Sequence, residues 1–396
     1  MECIIAQSPS FSKILSASFL VAGTAIGAGM LGIPLLTAQS GFAPALFITG
    51  LVWLFMLATG LLILEAVLWM PPGANIMTMA DSLLGKKGRV SAGLLFLFLY
   101  LCLMVAYIAG GAPLLLSFMP GWVSLPKWAG STLFAALFGG VVFRGIHSTA
   151  RINFVLGCGL IAAYLGMIGF GSSEVEASRL SFTNFPAGFL AAPVLFSAFG
   201  YHNIIPSICG YLNRDRKALR LSIWIGTLLA LIVYSVWQWM VIGSVPLEVI
   251  SAAKKSGLPA TMLLTNSIWL NRFSAVFAFL ALATSLLGVA LSLVDFLTDG
   301  LRFCKKNRLI PTLLAFGSPL AIVLYDPTLF DRALGIAGGF GEAFLNGLFP
   351  VLLVWAGRYK LRLENQAILP GGKLTLFLLG AFAIGVFLLE SVVLSL

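Results

Sequence analysis

The chain contains 396 residues, of which 60% are hydrophobic and only 10% are charged, and its mean hydropathy is +1.02. A soluble globular protein carries about 25% charged residues, so this chain lacks the polar atoms needed to cover a water-facing surface. The composition excludes an ordinary soluble protein and predicts an integral membrane protein in contact with the lipid bilayer.

The formal net charge of +10 could indicate a nucleic-acid partner, because basic patches are the usual footprint of such proteins. The basic residues fall instead in short clusters between apolar stretches, so we expect no nucleic-acid partner. The cysteines show no C-x-x-C spacing, which predicts free thiols rather than disulfides or a metal site. The five cysteines are Cys3, Cys102, Cys158, Cys209 and Cys304.

A membrane-spanning helix needs about 20 mostly apolar residues, and the chain offers eleven such stretches, which we call spans one to eleven. The fourth and the ninth are short, so ten or twelve spans remain open. The predicted spans cover residues 12–37, 43–70, 90–118, 128–143, 150–171, 186–211, 217–243, 267–298, 309–325, 330–355 and 373–395.

The basic residues between the spans predict an orientation. With the N-terminus in the cytoplasm, the cytoplasmic connections hold most of the 24 lysines and arginines, as the positive-inside rule expects. We predict a multi-pass protein of a bacterial-type inner (plasma) membrane, with its N-terminus in the cytoplasm and its C-terminus outside. Span one has no preceding basic segment and no small-residue cleavage site, which favours a retained helix over a signal peptide.

Residues 27–32, GAGMLG, match the dinucleotide-binding fingerprint G-x-G-x-x-G. That fingerprint requires a preceding strand and an acidic residue about 20 positions further on. Here an apolar span surrounds the glycines, and no Asp or Glu occurs between Glu2 and Glu65. The glycines therefore indicate either close helix packing of the small-xxx-small type or a cradle for a different charged group.

Glycine and proline interrupt spans one and six in corresponding places. Span one contains GTAIGAGMLGIP, up to Pro34, and span six contains FSAFGYHNIIP, up to Pro206. Each span opens a set of five, within residues 1–171 and 186–355, and residues 373–395 form an additional C-terminal helix. Because five is odd, the second set crosses the membrane in the opposite direction. The pattern predicts an all-α five-plus-five inverted repeat with broken helices one and six.

A helix broken at mid-membrane frees backbone groups for a ligand. The N-terminus of a half-helix offers N–H donors and a partial positive charge to an anion. The other broken end offers carbonyls to an ammonium or a metal cation. Irregular backbone of this kind is tolerated only where it lines an enclosed cavity. We therefore expect the glycines of span one to bind a carboxylate rather than a pyrophosphate.

Several motifs follow one another along the chain: VAGTAIGAGMLGIPLLTAQSGF, LLILE, AYIAGGA, SAFGYHNIIPSI and ALATSLLGVALSLVDFLTD. At these residues, and over essentially its whole length, the chain resembles the aromatic (hydroxy) amino acid permeases. This family of bacterial tyrosine and tryptophan carriers belongs to the amino acid–polyamine–organocation superfamily. The resemblance implies the leucine-transporter-type fold and secondary active import of an aromatic amino acid. Tyrosine is the first expected substrate, with tryptophan and phenylalanine as alternatives.

Carried over position by position, the resemblance implies where the amino acid would bind. Its carboxylate would meet the backbone of span one, its ammonium would face the broken ends of spans one and six, and its ring would lie against spans three and six. The implied substrate-binding residues are Ala25, Gly27, Ala28, Gly29, Tyr107, Gly110, Phe199, Gly200, Tyr201 and His202.

The resemblance also implies a coupling ion, either H⁺ or Na⁺, and no cofactor. Sodium-coupled members of the superfamily use an A-x-x-T-S pattern in span eight with carbonyls of span one. The implied cation-coupling residues are Gly23, Ile26, Ala281, Thr284 and Ser285. The alternative is that the hydroxyls of Thr284 and Ser285 form hydrogen bonds between helices. Proton-coupled relatives can carry a lysine in span five, where this chain has Gly159, so sodium is favoured and proton coupling stays open.

Ionisable residues inside membrane spans are functional candidates. Glu65 and Glu342 are candidates for a proton relay or gate, with a buried structural pair as the alternative for Glu342. Glu390 is expected at the membrane interface. For His202, a hydrogen-bonding role is as compatible with the sequence as contact with a substrate or proton.

We do not expect an enzyme, because the chain contains neither G-x-S-x-G nor H-E-x-x-H. Two other readings remain open. One is a carrier for a different neutral amino acid, and the other is a non-transporting amino acid sensor with the same binding site.

Overall fold

The computed structural model describes residues 9–120, 125–256, 260–264, 267–300, 308–363 and 367–395. Within these ranges the chain is helical or irregular and forms no strand. Cys102, Cys158 and Cys209 are free thiols, as predicted. Cys3 and Cys304 lie outside the described residues, as does the basic connection at 301–307.

The helices are short around the predicted breaks and long elsewhere. In chain order they are α1 (Phe11–Ala25), α2 (Gly29–Thr37), α3 (Phe42–Trp69), α4 (Ile76–Ser117), α5 (Lys127–Phe143), α6 (Ile146–Gly171), α7 (Ala177–Leu180), α8 (Phe185–Phe189), α9 (Ala192–Ala198), α10 (Ile205–Tyr211), α11 (Arg216–Ser244), α12 (Leu247–Ser256), α13 (Ile268–Gly300), α14 (Leu309–Tyr325), α15 (Phe330–Ile336), α16 (Phe349–Trp355) and α17 (Gly372–Val393). The segments Ala337–Leu348 and Ala356–Lys360 are π-helical. Short 3₁₀ turns occupy Ala38–Ser40, Ser172–Glu174, His202–Ile204 and Ala260–Leu263.

Seven helices of the described chain are long and apolar enough to cross a membrane, and the bent pair α1–α2 makes eight if it is one crossing. The helices α5 and α14 are apolar but shorter, at 17 residues each, and coincide with the two short predicted spans. The predicted span six is a series of short helices, α8 to α10. The all-helical class is therefore confirmed, while eleven crossings and the inverted repeat stay predictions.

The long helices differ in how deeply they lie in the bundle. In α3, 72% of the most apolar window is buried against the rest of the protein, whereas the corresponding share is 22% around α6 and 28% in α17. The burial of most of α3 explains why apolar residues occur around most of its circumference. In α6 and α17 the same composition faces outward, toward lipid.

A glycine divides the helix that contains span three. Gly85, inside α4, has φ 74° and ψ −174°, a conformation that residues with a Cβ adopt only at a cost. Residues 76–84 therefore form a separate helical segment, and the longer part after Gly85 corresponds to span three. This division brings Ile76 and Tyr100 of one helix to the same internal cavity.

Span one is broken where its glycines predicted a break. α1 ends at Ala25, Ile26 is extended with φ −71° and ψ 94°, and α2 starts at Gly29 after a bend of 58°. A helix rather than a strand precedes GAGMLG, in agreement with the exclusion of a dinucleotide site.

Span six is broken at the matching place. α9 ends at Ala198, Phe199 and Tyr201 leave the helical conformation with ψ 19° and 0°, and α10 resumes at Ile205. The two breaks touch: a Cβ on Gly29 would lie 2.8 Å from the Cα of Ala198. Close approach of two backbones therefore requires glycine at position 29.

Candidate functional site

A cavity of about 300 Å³ lies where the two broken helices meet. Ten of the residues predicted from the sequence line it: Gly23, Ala25, Gly27, Ala28, Gly29, Tyr107, Gly200, Thr284, Ser285 and Glu342. A cavity of this size is within the range of small-molecule sites. The structure thus brings together the backbone of span one, the break of span six and the hydroxyls of span eight.

A second cavity of about 670 Å³ continues from the first, and we call it the vestibule. The two cavities share five lining residues: Ile76, Phe96, Tyr100, Asn203 and Ser292. The vestibule extends to Arg89 and Asp295, and Asp295 pairs with Arg308 at 2.8 Å. The route from the site therefore leads to the basic end of the bundle, which the sequence predicts to be cytoplasmic.

The carbonyl ends of both broken helices converge on one tyrosine. The hydroxyl of Tyr234, in α11, lies 2.7 Å from the carbonyl oxygen of Ala25 and 2.7 Å from that of Ala198. A phenol has a single proton, so it satisfies only one of these carbonyls at a time. The pair of carbonyls therefore retains the capacity to accept hydrogen bonds from a cationic group.

Proline releases a second carbonyl in span one, that of Met30, from its helical hydrogen bond. In a regular helix the carbonyl of residue 30 accepts from the N–H of residue 34, but Pro34 has no N–H. The indole N–H of Trp237 donates to the Met30 carbonyl instead, at 2.9 Å. One helical turn after Tyr234, α11 thus supplies a second donor that fixes the broken helix.

Span eight contacts the span one break through its hydroxyls. The N–H of Ala28 donates to the Oγ of Ser285 at 2.9 Å. The hydroxyl of Thr284 donates within its own helix, to the carbonyls of Leu280 at 2.9 Å and Ala281 at 3.1 Å. Both hydroxyl oxygens therefore keep lone pairs toward the cavity. Hydroxyl and carbonyl oxygens suit a hard cation such as Na⁺.

Ile26 and Ala281, the other predicted cation-coupling residues, do not line the cavity. Ala281 is fully buried in α13. The prediction invoked their carbonyl oxygens and not their side chains.

In span five the residue that faces the cavity is Asn153 and not Gly159. Gly159 packs toward α13, where a Cβ would lie 3.1 Å from the Cδ1 of Leu280. Asn153 lines the cavity, and its buried Oδ1 has no hydrogen-bond partner in the described structure. An unsatisfied buried oxygen in the cavity that Thr284 and Gly23 also line is a further acceptor for a cation.

The π-helical segment Ala337–Leu348 brings two polar side chains to the cavity. Glu342 and Asn346 both line it, and the Asn346 amide donates to Oε2 of Glu342. The other oxygen, Oε1, faces the break in span six, since a Cβ on Gly200 would lie 2.6 Å from it. The sequence indicated Glu342 but gave no sign of its pairing with Asn346.

Four predicted substrate-binding residues are not among those that line the cavity: Gly110, Phe199, Tyr201 and His202. Gly110 packs on α15, where a Cβ would lie 2.7 Å from the Phe330 ring. The Phe199 ring packs edge-on against Tyr234 at 4.8 Å. The direction of these side chains around the helix, which depends on the irregular backbone at the break, is not encoded in the motif.

Tyr201 and His202 point toward α3 instead. The Tyr201 hydroxyl donates to the Met56 carbonyl at 3.1 Å, and the Nε2 of His202 lies 2.9 Å from the Oγ1 of Thr59. Both side chains are fully buried. For His202, this geometry favours the hydrogen-bonding role over contact with a substrate.

Glu65 is part of a buried ion pair. Its carboxylate accepts from Arg358 at 2.6 and 2.7 Å and from the N–H of Ile368 at 2.8 Å. A carboxylate with three donors is poorly suited to carry a proton, so the contacts favour a structural role over the predicted relay or gate. Glu390 is 2% exposed and packs against Gly335 and Gly339, so its carboxylate is buried against span ten.

The candidate site residues that the sequence did not indicate are Tyr100, Asn153, Tyr234 and Asn346. Each is a polar residue within an otherwise apolar helix, and this is the one signal that could have found them. Packing decides that Tyr100, Asn153 and Asn346 reach the cavity and that Tyr234 reaches the carbonyls at both breaks.

An all-helical bundle of long apolar helices that encloses a polar cavity between two broken helices is a multi-pass membrane protein of the permease class. More particularly, the chain belongs to the tryptophan/tyrosine permease family, whose profile matches residues 10–390. The family resemblance stated from the motifs is thereby confirmed.

Several named transport proteins are similar to this chain over most of its length. The chain is 36% identical over 383 residues to the tyrosine-specific transport system 1 of Haemophilus influenzae, covering 93% of this chain and 94% of the relative. It is 34% identical over 376 residues to the tryptophan-specific transport protein of Pseudomonas aeruginosa, covering 89% and 88%. It is 31% identical over 343 residues to the low affinity tryptophan permease of Escherichia coli, covering 81% of each.

Proposed function

We propose that this protein imports an aromatic amino acid by symport with a cation. The observation that carries the proposal is the cavity at the two helix breaks, where backbone N–H groups, backbone carbonyls and two hydroxyls meet. The family and the names of its relatives support an aromatic substrate. Tyrosine is the proposed first substrate, with tryptophan and phenylalanine as the alternatives to be compared with it.

The zwitterionic part of the substrate would bind to the broken helices. Its carboxylate would accept from the N–H groups of Gly27, Ala28 and Gly29 at the start of α2, where the helix dipole favours an anion. Its ammonium would donate to the carbonyls of Ala25 and Ala198, which share the single proton of Tyr234. The Tyr234 hydroxyl can donate to only one of these two carbonyls at a time, and the three protons of the ammonium can supply the hydrogen bonds that it leaves unmade.

Sodium is the proposed coupling ion. Its ligands would be the hydroxyl oxygens of Thr284 and Ser285, the carbonyl oxygens of Gly23, Ile26 and Ala281, and the side-chain oxygen of Asn153. These are oxygen ligands without formal charge, and the Oδ1 of Asn153 has no hydrogen-bond partner among the described residues. Proton coupling is the alternative, with the Glu342 carboxyl as the proton carrier.

The architecture that accompanies this function is also a proposal. Spans one to five, within residues 1–171, and spans six to ten, 186–355, would form two inverted repeats, followed by the eleventh helix, 373–395. The N-terminus would lie in the cytoplasm and the C-terminus outside the inner membrane. The vestibule would then open to the cytoplasm, so the structure would correspond to the conformation that releases substrate.

Purified protein in liposomes tests the proposal. Labelled tyrosine, tryptophan, phenylalanine and leucine would be offered with an inward sodium gradient or an inward proton gradient, each imposed separately. We expect an aromatic amino acid to accumulate above equilibrium with sodium alone. Accumulation with protons alone would replace sodium by the Glu342 alternative. Uptake of leucine in preference to the aromatic amino acids would indicate a carrier for another neutral amino acid, and binding without uptake would indicate a sensor.

A further inference from the structure

We propose that Glu342 and Asn346 select aromatic amino acids whose ring carries a hydrogen-bond donor, namely the phenol O–H of tyrosine or the indole N–H of tryptophan. The inference rests on the proposed function, because the ring must enter the cavity. It goes further by naming the residues that distinguish such rings from the unsubstituted ring of phenylalanine.

Both side chains are buried but line the cavity. Glu342 is 4% and Asn346 is 6% exposed, and both belong to the cavity lining. The backbone that carries them is π-helical from Ala337 to Leu348, a rare conformation that is frequent at functional sites. This segment aims a carboxylate and an amide at the interior from a single helix.

The carboxylate has unused acceptor capacity. In the described part of the chain only Asn346 donates to it, and it does so through Oε2. Oε1 is directed at Gly200, which has no side chain to donate a hydrogen bond. A buried acceptor without a donor is unfavourable. A substrate that brings a donor to Oε1 should therefore bind with higher affinity than one that does not.

The surroundings of Glu342 on the side of span three suit a ring. Gly341, the preceding residue, packs on span three, where a Cβ would lie 2.8 Å from the Cδ1 of Leu99. The apolar and aromatic residues that line the same cavity are Leu99, Tyr100, Leu103, Tyr107 and Leu345. The carboxylate thus shares the cavity with apolar and aromatic side chains, while its Oε1 faces the span six break at Gly200.

The head group of the substrate already has other partners. Its carboxylate and ammonium are assigned to the backbone groups at the breaks of spans one and six, and the coupling ion is assigned to span eight. The span ten pair is left for the far end of the substrate. A site built to donate to or accept from a ring substituent rejects the analogue that lacks it far more strongly than an apolar pocket rejects a lost methylene.

The test compares matched analogues as inhibitors of labelled tyrosine or tryptophan uptake in liposomes. Tyrosine is compared with phenylalanine and O-methyltyrosine, and tryptophan with 1-methyltryptophan. The variants are Glu342→Leu, Glu342→Gln and Asn346→Leu. Glu390→Gln is the matched control, because Glu390 is also a buried glutamate packed on span ten but does not line the cavity.

We expect wild-type protein to prefer each donor-bearing substrate by about tenfold or more. Glu342→Leu should bring the ratio close to one, mainly by weakening the donor-bearing substrates. Glu342→Gln should retain part of the preference, because an amide oxygen still accepts. The Glu390→Gln ratio should equal that of the wild type. If Glu342→Leu does not fold, the substrate preference of Glu342→Gln, compared with that of the wild type, tests the inference.

Two results would overturn the inference while leaving the proposed function intact. In one, wild-type protein accumulates aromatic amino acids without distinguishing tyrosine from O-methyltyrosine or tryptophan from 1-methyltryptophan. In the other, the Glu342 variants weaken every analogue equally, which would assign the carboxylate to the shared ammonium or to proton coupling. Absence of any aromatic uptake by the wild type would instead refute the proposed function itself.

Discussion

The backbone N–H of Ala28 donates a hydrogen bond of 2.9 Å to the hydroxyl oxygen of Ser285. This bond joins the proposed carboxylate site in span one to the proposed cation site in span eight. A substrate carboxylate that takes the Ala28 N–H would release a lone pair of Ser285 for the cation. Coupling of this kind is reciprocal, so each ligand would raise the affinity for the other.

Ser285→Ala should therefore weaken the dependence of uptake on the coupling ion. Loss of one oxygen ligand is worth roughly 1 kcal/mol, which is about a fivefold rise in the sodium concentration for half-maximal uptake. Ser274→Ala is the matched control, since Ser274 is a buried serine of the same helix whose hydroxyl donates to the Leu270 carbonyl within that helix. An unchanged sodium dependence in Ser285→Ala would remove Ser285 from the cation site.

Tyr234→Phe should raise the KM of the substrate about tenfold and leave the protein folded. The change removes the single proton shared by the carbonyls of Ala25 and Ala198 and so loosens the two helix ends that would bind the ammonium. Tyr164→Phe is the control, because the Tyr164 hydroxyl also donates to a backbone carbonyl of α11, that of Val233 at 2.8 Å, but away from the breaks. Equal effects of the two variants would point to general loosening of α11.

Gly29→Ala should destabilise the protein by about 1–3 kcal/mol, the usual range for overpacking, because its Cβ would lie 2.8 Å from the Cα of Ala198 and 3.0 Å from its backbone nitrogen. Gly23→Ala should be tolerated sterically, since nothing lies within 4 Å of the added atom. Thermal unfolding in detergent and uptake in liposomes distinguish the two variants. Equal stability of both would show that spans one and six separate more easily than this packing indicates.

Glu65→Gln should lower the stability of the protein by about 3–5 kcal/mol, because it leaves Arg358 buried without its partner. The side chains are 3% and 12% exposed. Glu176→Gln is the control, because Glu176 pairs with Arg179 at 2.7 Å but is 56% exposed, and an exposed pair contributes about 0–1 kcal/mol.

A double-mutant cycle of Glu65→Leu with Arg358→Leu should show positive coupling, since removal of both charges leaves neither one buried alone. Unchanged thermal stability in Glu65→Gln, together with an altered pH dependence of uptake, would instead support the relay or gate role that the sequence suggested.

The breaks in spans one and six were predictable because their cause is local. Pro34 and Pro206 cannot donate to the preceding turn, and the glycines of the same short stretch lack a Cβ, which leaves room at Gly29 for the backbone of Ala198. The kind of site was also predictable, since a broken helix always frees N–H and carbonyl groups. Thr284 and Ser285 were found because their motif lies in one continuous helix, where neighbouring residues have a fixed relative direction.

The predicted residues differ from the cavity lining where the direction of a side chain depends on tertiary packing. Tyr201 and His202 follow the break, where the helical period no longer tells which way a side chain points, and they turn to α3. Gly159 was assigned to the cavity by analogy, whereas the rotation of α6 presents Asn153. Tyr234 was missed because its partners, the carbonyls of Ala25 and Ala198, are backbone atoms that no motif contains.

From its amino-acid sequence alone, this protein could be placed in the membrane and in its family, and its two interrupted helices could be located. Composition and the covalent properties of glycine and proline act locally, so their effects can be predicted from the sequence one segment at a time. The partner of each buried polar group depended on the folded bundle. Glu65 meets Arg358 across 293 residues of sequence, and such pairs form only when packing brings distant helices together.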